Sequence, residues 1–215
     1  MNDLLSRINH PTLGDVVFHR ISDSVPIENQ NRIENHLVNN NRFCWNFNET
    51  TISPWTRLSS LDRFNDITIL NHMLVSDGKK LSDDLQNLGN DIGMGKLIQT
   101  YNLSGNLLRA QANLFIKRDI ESFGCPHVDV RFARHLVILY YVNDSDGDTI
   151  FYDLSINEDD RLSEMKEWRR ESPNKGDILI FDGRIYHSPS CPTKHSCRST
   201  LNFDMEIQEE YVLNE

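Results

Sequence analysis

The sequence predicts an α+β protein in which helices from the first half pack against a β-sandwich or barrel built by the second. Three observations predict it. Apolar residues recur at helical spacing before about residue 105, and they alternate with polar residues after it. Turn-forming Asp, Asn and Gly then cut the second half into five or more short strands. No repeat or Pro/Gly-rich linker interrupts the 215 residues. The expectation is therefore a single domain over 1–215, with a mainly helical part over 1–105 and a β core over 106–210.

Ser24 is placed to cap a first helix, with Pro26 in its first turn and Ile27, Ile33 and Leu37 on its apolar side. Phe43, Trp45, Phe47 and Trp55, near Pro54, form an aromatic-rich stretch that reads as a satellite hydrophobic cluster rather than a pocket wall. Ser82 caps a second helix, Asp83 and Asp84 suit its positive end, and Leu85, Leu88 and Ile92 mark its buried side. Gly93 and Gly95 end it. From Leu108 to Ile116 the period becomes two, with Leu108, Ala110, Ala112 and Leu114 alternating with Arg109, Gln111, Asn113 and Phe115. Leu136–Val142 is the longest apolar run, and with the turn Asp144-Ser145-Asp146-Gly147 and Thr149–Tyr152 it reads as a hairpin. A charged stretch, 157–171, reads as a solvated connection around Met165 and Trp168. Strand Ile178–Phe181 precedes a loop carrying His187 and Pro189. The last strand puts Leu201, Phe203, Met205 and Ile207 on one face and Arg198, Thr200 and Asn202 on the other.

Composition narrows the function. Lys plus Arg number 22 against 32 Asp plus Glu, a formal charge of −10 that repels phosphate backbones, so nucleic acid is not an expected partner class. The seven-residue apolar run is far short of a membrane span, and Met1–His10 has no apolar signal-peptide core. Cys44, Cys125, Cys191 and Cys197 form neither a metal knuckle nor a disulfide framework, so the expectation is a cytoplasmic protein with reduced thiols. Asp144, Asp146 and Asp148 lack the glycine and glutamate positions of a calcium loop and read as a turn.

Among eight histidines, His127-Val128-Asp129 is the single His-x-acid pair, about the number chance provides at this composition. Three features lift it above chance. In an extended segment residues i and i+2 project to one side, so His127 and Asp129 can grip one ion with His187 as third ligand. Eleven residues after His187, Arg198 points away from the apolar face of its strand, where a buried guanidinium requires an anion. Tyr141 shares a face with Val137 and Leu139 and can reach the same anion. Two histidines and one carboxylate leave three positions open on a non-haem iron, two for a bidentate 2-oxo acid and one for O₂. His135 and His195 read as structural or exposed, and His10, His19, His36 and His72 as incidental.

The segments Pro126-His127-Val128-Asp129, Leu139–Asn143, Asp146-Gly147-Asp148-Thr149-Ile150-Phe151 and Gly176–Gly183, followed by His187 and Arg198, resemble the prolyl-4-hydroxylase-like branch of the 2-oxoglutarate/Fe(II) dioxygenases. The likeness covers about residues 107–207. It implies a double-stranded β-helix (jelly-roll) core flanked by N-terminal helices, with Fe(II) held by His127, Asp129 and His187. It also implies 2-oxoglutarate held by Arg198, with help from Tyr141, which falls where a tyrosine does this in the hypoxia-sensing prolyl hydroxylases, and from Thr200. The implied activity is O₂-dependent hydroxylation of an unidentified substrate, peptidyl proline or a small molecule, with release of succinate and CO₂. Two departures stand out: Asp146 replaces the first glycine of the hairpin motif, and no tyrosine marks the strand before His127, where Asn113 and Phe115 are nearest. The competing reading is a cupin-like metal-binding jelly roll that binds a sugar or peptide without turnover. A zinc hydrolase lacks the HExxH spacing.

Overall fold

The computed structural model describes residues 5–51, 66–103 and 105–207. Strands β1 (Arg7–His10) and β2 (Gly14–Ile21) precede helix α1 (Ile27–Leu37). Strands β3 (Asn46–Asn48), β4 (Ile69–Ser76) and β5 (Lys79–Lys80) lead to helices α2 (Asp84–Ile92) and α3 (Met94–Thr100). Then follow β6 (Leu107–Ile116), β7 (His135–Tyr141), β8 (Thr149–Ser155), a 3₁₀ helix (Ile156–Glu164), β9 (Glu167–Glu171), β10 (Ile178–Asp182), β11 (Ile185–Pro189) and β12 (Cys197–Glu206). The protein is mostly antiparallel β-sheet with few helices. Among the described residues, no helix is long and apolar enough to cross a membrane.

Among the described residues, nine strands form one sheet in the order β1-β2-β10-β7-β12-β6-β4-β3, with β5 beside β4; β11-β8-β9 form a second. The first half is therefore not a helical layer set on a separate barrel: β1, β2, β3, β4 and β5 all extend the large sheet. Its helices lie where expected, with different ends. The position before α1 is Pro26, not Ser24, and Ile27 is exposed while Ile33 and Leu37 are buried. Asp83 occupies the cap position of α2, although the Ser82 hydroxyl accepts the Asp84 N–H. Gly93 ends α2 in the left-handed conformation, φ 75°, which costs glycine nothing, whereas Gly95 lies inside α3.

Period two explains how the layers pack. On β7, Leu136, Ile138 and Tyr140, with Val142 just after it, join α1, α2 and α3 in one core with Leu201, Phe203 and Met205 of β12. Val137, Leu139 and Tyr141 face the other way and pack with Phe151 of β8 and Ile185 of β11, between the sheets. A strand buried on both faces reads as an unbroken apolar run, and each large side chain so buried contributes about 1.5–3 kcal/mol. The expected hairpin does not form. β7 pairs with β10 and β12, whereas β8 pairs with β11 and β9, so the turn between them crosses from one sheet to the other. The charged stretch also differs from expectation: its end is β9, which pairs with β8, with Met165 buried before it. His187 lies on a strand rather than in a loop. Phe43 and Trp45 pack on each other with ring centroids 4.8 Å apart and lie against the helical core, as a satellite cluster should, and Phe47 is exposed; Pro54 and Trp55 lie outside the described residues.

Candidate metal centre

The backbone brings His127 and His187 side by side. Each donates its N–H to the other's carbonyl at 2.9 Å, an isolated antiparallel bridge that fixes both imidazoles on one side. The His127 Nδ1 faces the Cys125 carbonyl at 2.9 Å and the His187 Nδ1 faces the Ile185 carbonyl at 3.2 Å. A carbonyl only accepts, so both Nδ1 atoms carry a proton and the Nε2 atoms are the ones left to meet a cation. Those Nε2 atoms converge on Asp129, at 3.6 Å from Oδ1 for His127 and 3.4 Å from Oδ2 for His187. Phe181 packs edge-on against the His187 ring at 5.0 Å and holds it there.

The three ligand atoms lie within 4.8 Å of one another, close enough to share one ion. Asp129 Oδ2 is buried and has no hydrogen-bond partner among the described residues. An orphaned carboxylate oxygen beside the His187 Nε2, with the His127 Nε2 at the other oxygen of the same carboxylate, fits a divalent cation, and the nitrogen and oxygen donor set suits iron. Burial by itself would raise Asp129, but Arg109 and the imidazoles outweigh it and hold its carboxyl well below the usual carboxylate range. Burial likewise would lower His127, yet the carboxylate beside it leaves it raised.

The same cavity reaches Arg198. Its walls include His127, Asp129, His187, Arg198 and Thr200, and it encloses about 490 Å³ of space between atoms, counting the part open to solvent. Cross-strand register builds one wall as a ladder, with Arg198 opposite Phe115, Thr200 opposite Asn113, Asn202 opposite Gln111 and Asp204 opposite Arg109. The Arg198 side chain is buried, stacks over Phe115 at 5.2 Å, and donates from Nη2 to Thr149 Oγ1 at 2.8 Å. No carboxylate among the described residues pairs with it, and its Nε has no partner. Burial pulls Arg198 below its ordinary value, with Tyr141 and Asp148 offsetting only part of that. Tyr141 is not in the cavity wall. Its hydroxyl meets Thr149 Oγ1 at 3.0 Å and so reaches Arg198 through the threonine, while burial pushes it up to about 12. Thr200 does line the cavity, its hydroxyl 3.5 Å from Asn202 Oδ1.

Several residues that sequence reasoning left without a role position this end. Gly147 leaves the space that Arg198 crosses, since a Cβ there would stand 3.0 Å from the Arg198 Cδ and 2.6 Å from the Ser190 carbonyl. Asn143 accepts the Ser199 N–H and donates to the Cys197 carbonyl, pinning the backbone on both sides of Arg198. Asp146 accepts the backbone N–H groups of Thr193, Lys194 and His195 and holds the loop leading into β12. The three turn aspartates thus serve two loops, since Asp144 accepts from Lys175 and Asp148 from Ser172, both in the connection between β9 and β10. His195 pairs with Asp146, and His135 is buried with its Nδ1 facing the Ala133 carbonyl rather than joining the ligand set. Arg109 and Asp204 were equally unassigned. A sequence signal existed: Asp204 continues the cavity-facing period of Arg198, Thr200 and Asn202.

No family model matches the chain, and no curated protein matches its sequence. Solved structures do resemble it. One is described as an oxidoreductase of the 2OG-Fe(II) oxygenase family from Burkholderia pseudomallei, with a TM-score of 0.60 at 12% identity over 88% of this chain and 84% of that one. A second is the non-heme alpha ketoglutarate dependent epimerase SnoN from nogalamycin biosynthesis, with a TM-score of 0.58 at 15% identity over 88% and 77%. A third is a Pseudomonas putida prolyl-4-hydroxylase, with a TM-score of 0.52 at 11% identity over 88% and 92%. The arrangement of strands around this cavity is accordingly the fold of the 2OG-Fe(II) oxygenases.

Proposed function

We propose that this protein is an Fe(II)- and 2-oxoglutarate-dependent dioxygenase that hydroxylates a substrate with release of succinate and CO₂. The observation that carries this reading is Arg198, a buried guanidinium without a carboxylate partner, in the wall of the cavity that also holds the His127–Asp129–His187 cluster. A cation site and an anion site in one cavity suit a dianion that touches both. A cupin-like binding module has no use for Arg198.

The strands that frame the site read as a double-stranded β-helix. From β6 onward the chain alternates between sheets: β6 large, the 123–127 segment against β11, β7 large, β8 and β9 small, β10 large, β11 small and β12 large. His127, Asp129 and His187 would hold the iron in this reading, and Arg198 would donate to the distal carboxylate of 2-oxoglutarate in a charge-assisted pair. Thr149 aligns the guanidinium, Tyr141 supports Thr149, and Thr200 lines the cosubstrate's path. Bound iron supplies O₂ activation coupled to decarboxylation of the 2-oxo acid, and the resulting oxidising power hydroxylates the substrate. The apolar walls at Leu139, Phe115 and Phe181 keep water from the reacting groups.

Anaerobic titration of the Fe(II)-loaded protein with 2-oxoglutarate tests the assignment. A visible charge-transfer band saturating with the cosubstrate is expected, and its absence refutes the reading. Succinate release screened over peptides, amino acids and other small molecules then identifies the substrate.

A further inference from the structure

One arginine touches the carboxylate of the ligand cluster and is itself tied to a second buried acid. Arg109, on β6, donates from Nη2 to Asp129 Oδ1 and from Nε to Asp204 Oδ2, the latter at 2.7 Å. Asp129 and Asp204 are 1% and 0% exposed at their side chains. The planar guanidinium fork therefore spans two acids from different parts of the chain. Asp204 sits directly across the ladder from Arg109, and the register shifts at the next residue, so the strand irregularity abuts this pair.

Fold stability does not account for the arrangement. Two buried carboxylates share one guanidinium, and one oxygen of each, Asp129 Oδ2 and Asp204 Oδ1, has no hydrogen-bond partner among the described residues. A buried ion pair of this kind is often no better than well-packed apolar residues of the same volume, and an excess carboxylate is worse. The surplus negative charge makes sense beside a cation. A lone guanidinium against Asp129 would repel that cation. Burial and Asp129 push Asp204 up to about 7, and in its ionised form it cancels the Arg109 charge.

We propose that Arg109 and Asp204 act together as positioning residues for the metal-binding carboxylate. Arg109 occupies Oδ1 of Asp129 so that Oδ2 is the atom offered to the ion, and Asp204 neutralises Arg109 so that this grip does not weaken cation binding. The inference rests on the metal-centre reading above. It goes further by dividing the two oxygens of Asp129 between two tasks and giving Asp204 a task of its own.

Titration of the metal-free protein with Co(II), followed by its visible absorption bands, tests the two readings separately. If the unaltered protein binds no Co(II), the metal centre itself fails and this proposal falls with it. If it does bind, Asp204→Asn should weaken binding by about 10- to 100-fold, the range typical of groups that orient a metal ligand. Arg109→Met should weaken binding and change the position and intensity of the Co(II) bands at saturation, a readout that general loosening of the fold would not give. Because Asp204 acts by cancelling Arg109, the double variant Arg109→Met/Asp204→Asn should bind no more weakly than Arg109→Met alone. Should Arg109→Met not fold, Arg109→Lys keeps the charge but cannot bridge two acids, and the same change in the bands is expected. Folded variants with affinities within twofold of the parent and unchanged bands would overturn the proposal. So would fully additive losses in the double variant.

Discussion

The two ends of the cavity carry opposite electrostatic deficits. At the His127–His187 end the surplus is negative: Asp129 and Asp204 share one guanidinium and each keeps an unpartnered buried oxygen. At the other end the surplus is positive: Arg198 rests on hydroxyl and aromatic neighbours, with no carboxylate partner among the described residues and an unpartnered Nε. Folding by itself gains nothing from either deficit, because an uncompensated buried charge costs stability. Together they suit the proposed ligand pair, a cation at one end and an anion at the other. The contrast shows that the polarity of a cavity can be read from which buried atoms are left without partners.

Removing the negative end should have the largest effect. Asp129→Ala deletes one of the three proposed ligands, and complete loss of 2-oxoglutarate-dependent succinate release is expected; a variant that still turns over would break the comparison at its metal end. Arg198→Met comes next. It should cost about 2–5 kcal/mol of 2-oxoglutarate binding, roughly 30-fold to several thousand-fold in affinity, while metal binding persists. Because it also removes an uncompensated buried charge, the thermal midpoint of the cosubstrate-free protein should stay level or rise, and a marked fall would show that Arg198 serves the fold. Gly147→Ala sharpens the same point from outside the cavity. The new methyl must displace the Ser190 carbonyl or the Arg198 stem, so cosubstrate affinity should drop by about tenfold, as a misplaced binding group does, with Co(II) binding unchanged.

The smallest expected effect lies in the support of the positive end. Slight burial would raise Asp146, but the N–H donors of Thr193–His195 dominate and hold its carboxyl far below the usual carboxylate range. A depressed value means the folded state prefers the ionised form, so the stabilisation is complete above about pH 4 and fades as pH falls through the folded-state value. Asp146→Asn should therefore cost about 1–2 kcal/mol at pH 7, discounted for partial exposure, with the gap to the parent narrowing below about pH 4. Chemical denaturation at several pH values measures it. A gap that stayed constant down to pH 3 would show that charge is not what holds the loop.

The readable parts of this protein were those written in local pattern. Alternation over Arg109–Phe115 and over Arg198–Met205 announced strands and divided each into two faces, and those faces are the ones that pack and line the cavity. His127 and Asp129, two apart, had to share a side once the segment was extended. The first half misled because its strands carry weak signals. β3 and β5 are three and two residues long, and the middle of β4 is only half-buried, so no clean period of two marks it. The hairpin expectation failed for a different reason: a turn sequence specifies a reversal of direction but not which sheet receives the next strand.

By itself, the order of residues determined the chemistry on offer: two imidazoles, a carboxylate and a guanidinium, each on a segment whose side-chain period put it on a known face. Tertiary structure decided the partnerships. Whether Asp204 meets Arg109, whether Thr149 stands between Tyr141 and Arg198, and whether Gly147 lies beneath the Arg198 stem depend on register and sheet exchange between segments tens of residues apart. Those are set by the packing of whole layers, because a shift of one residue along a strand would turn every one of these side chains to the opposite face.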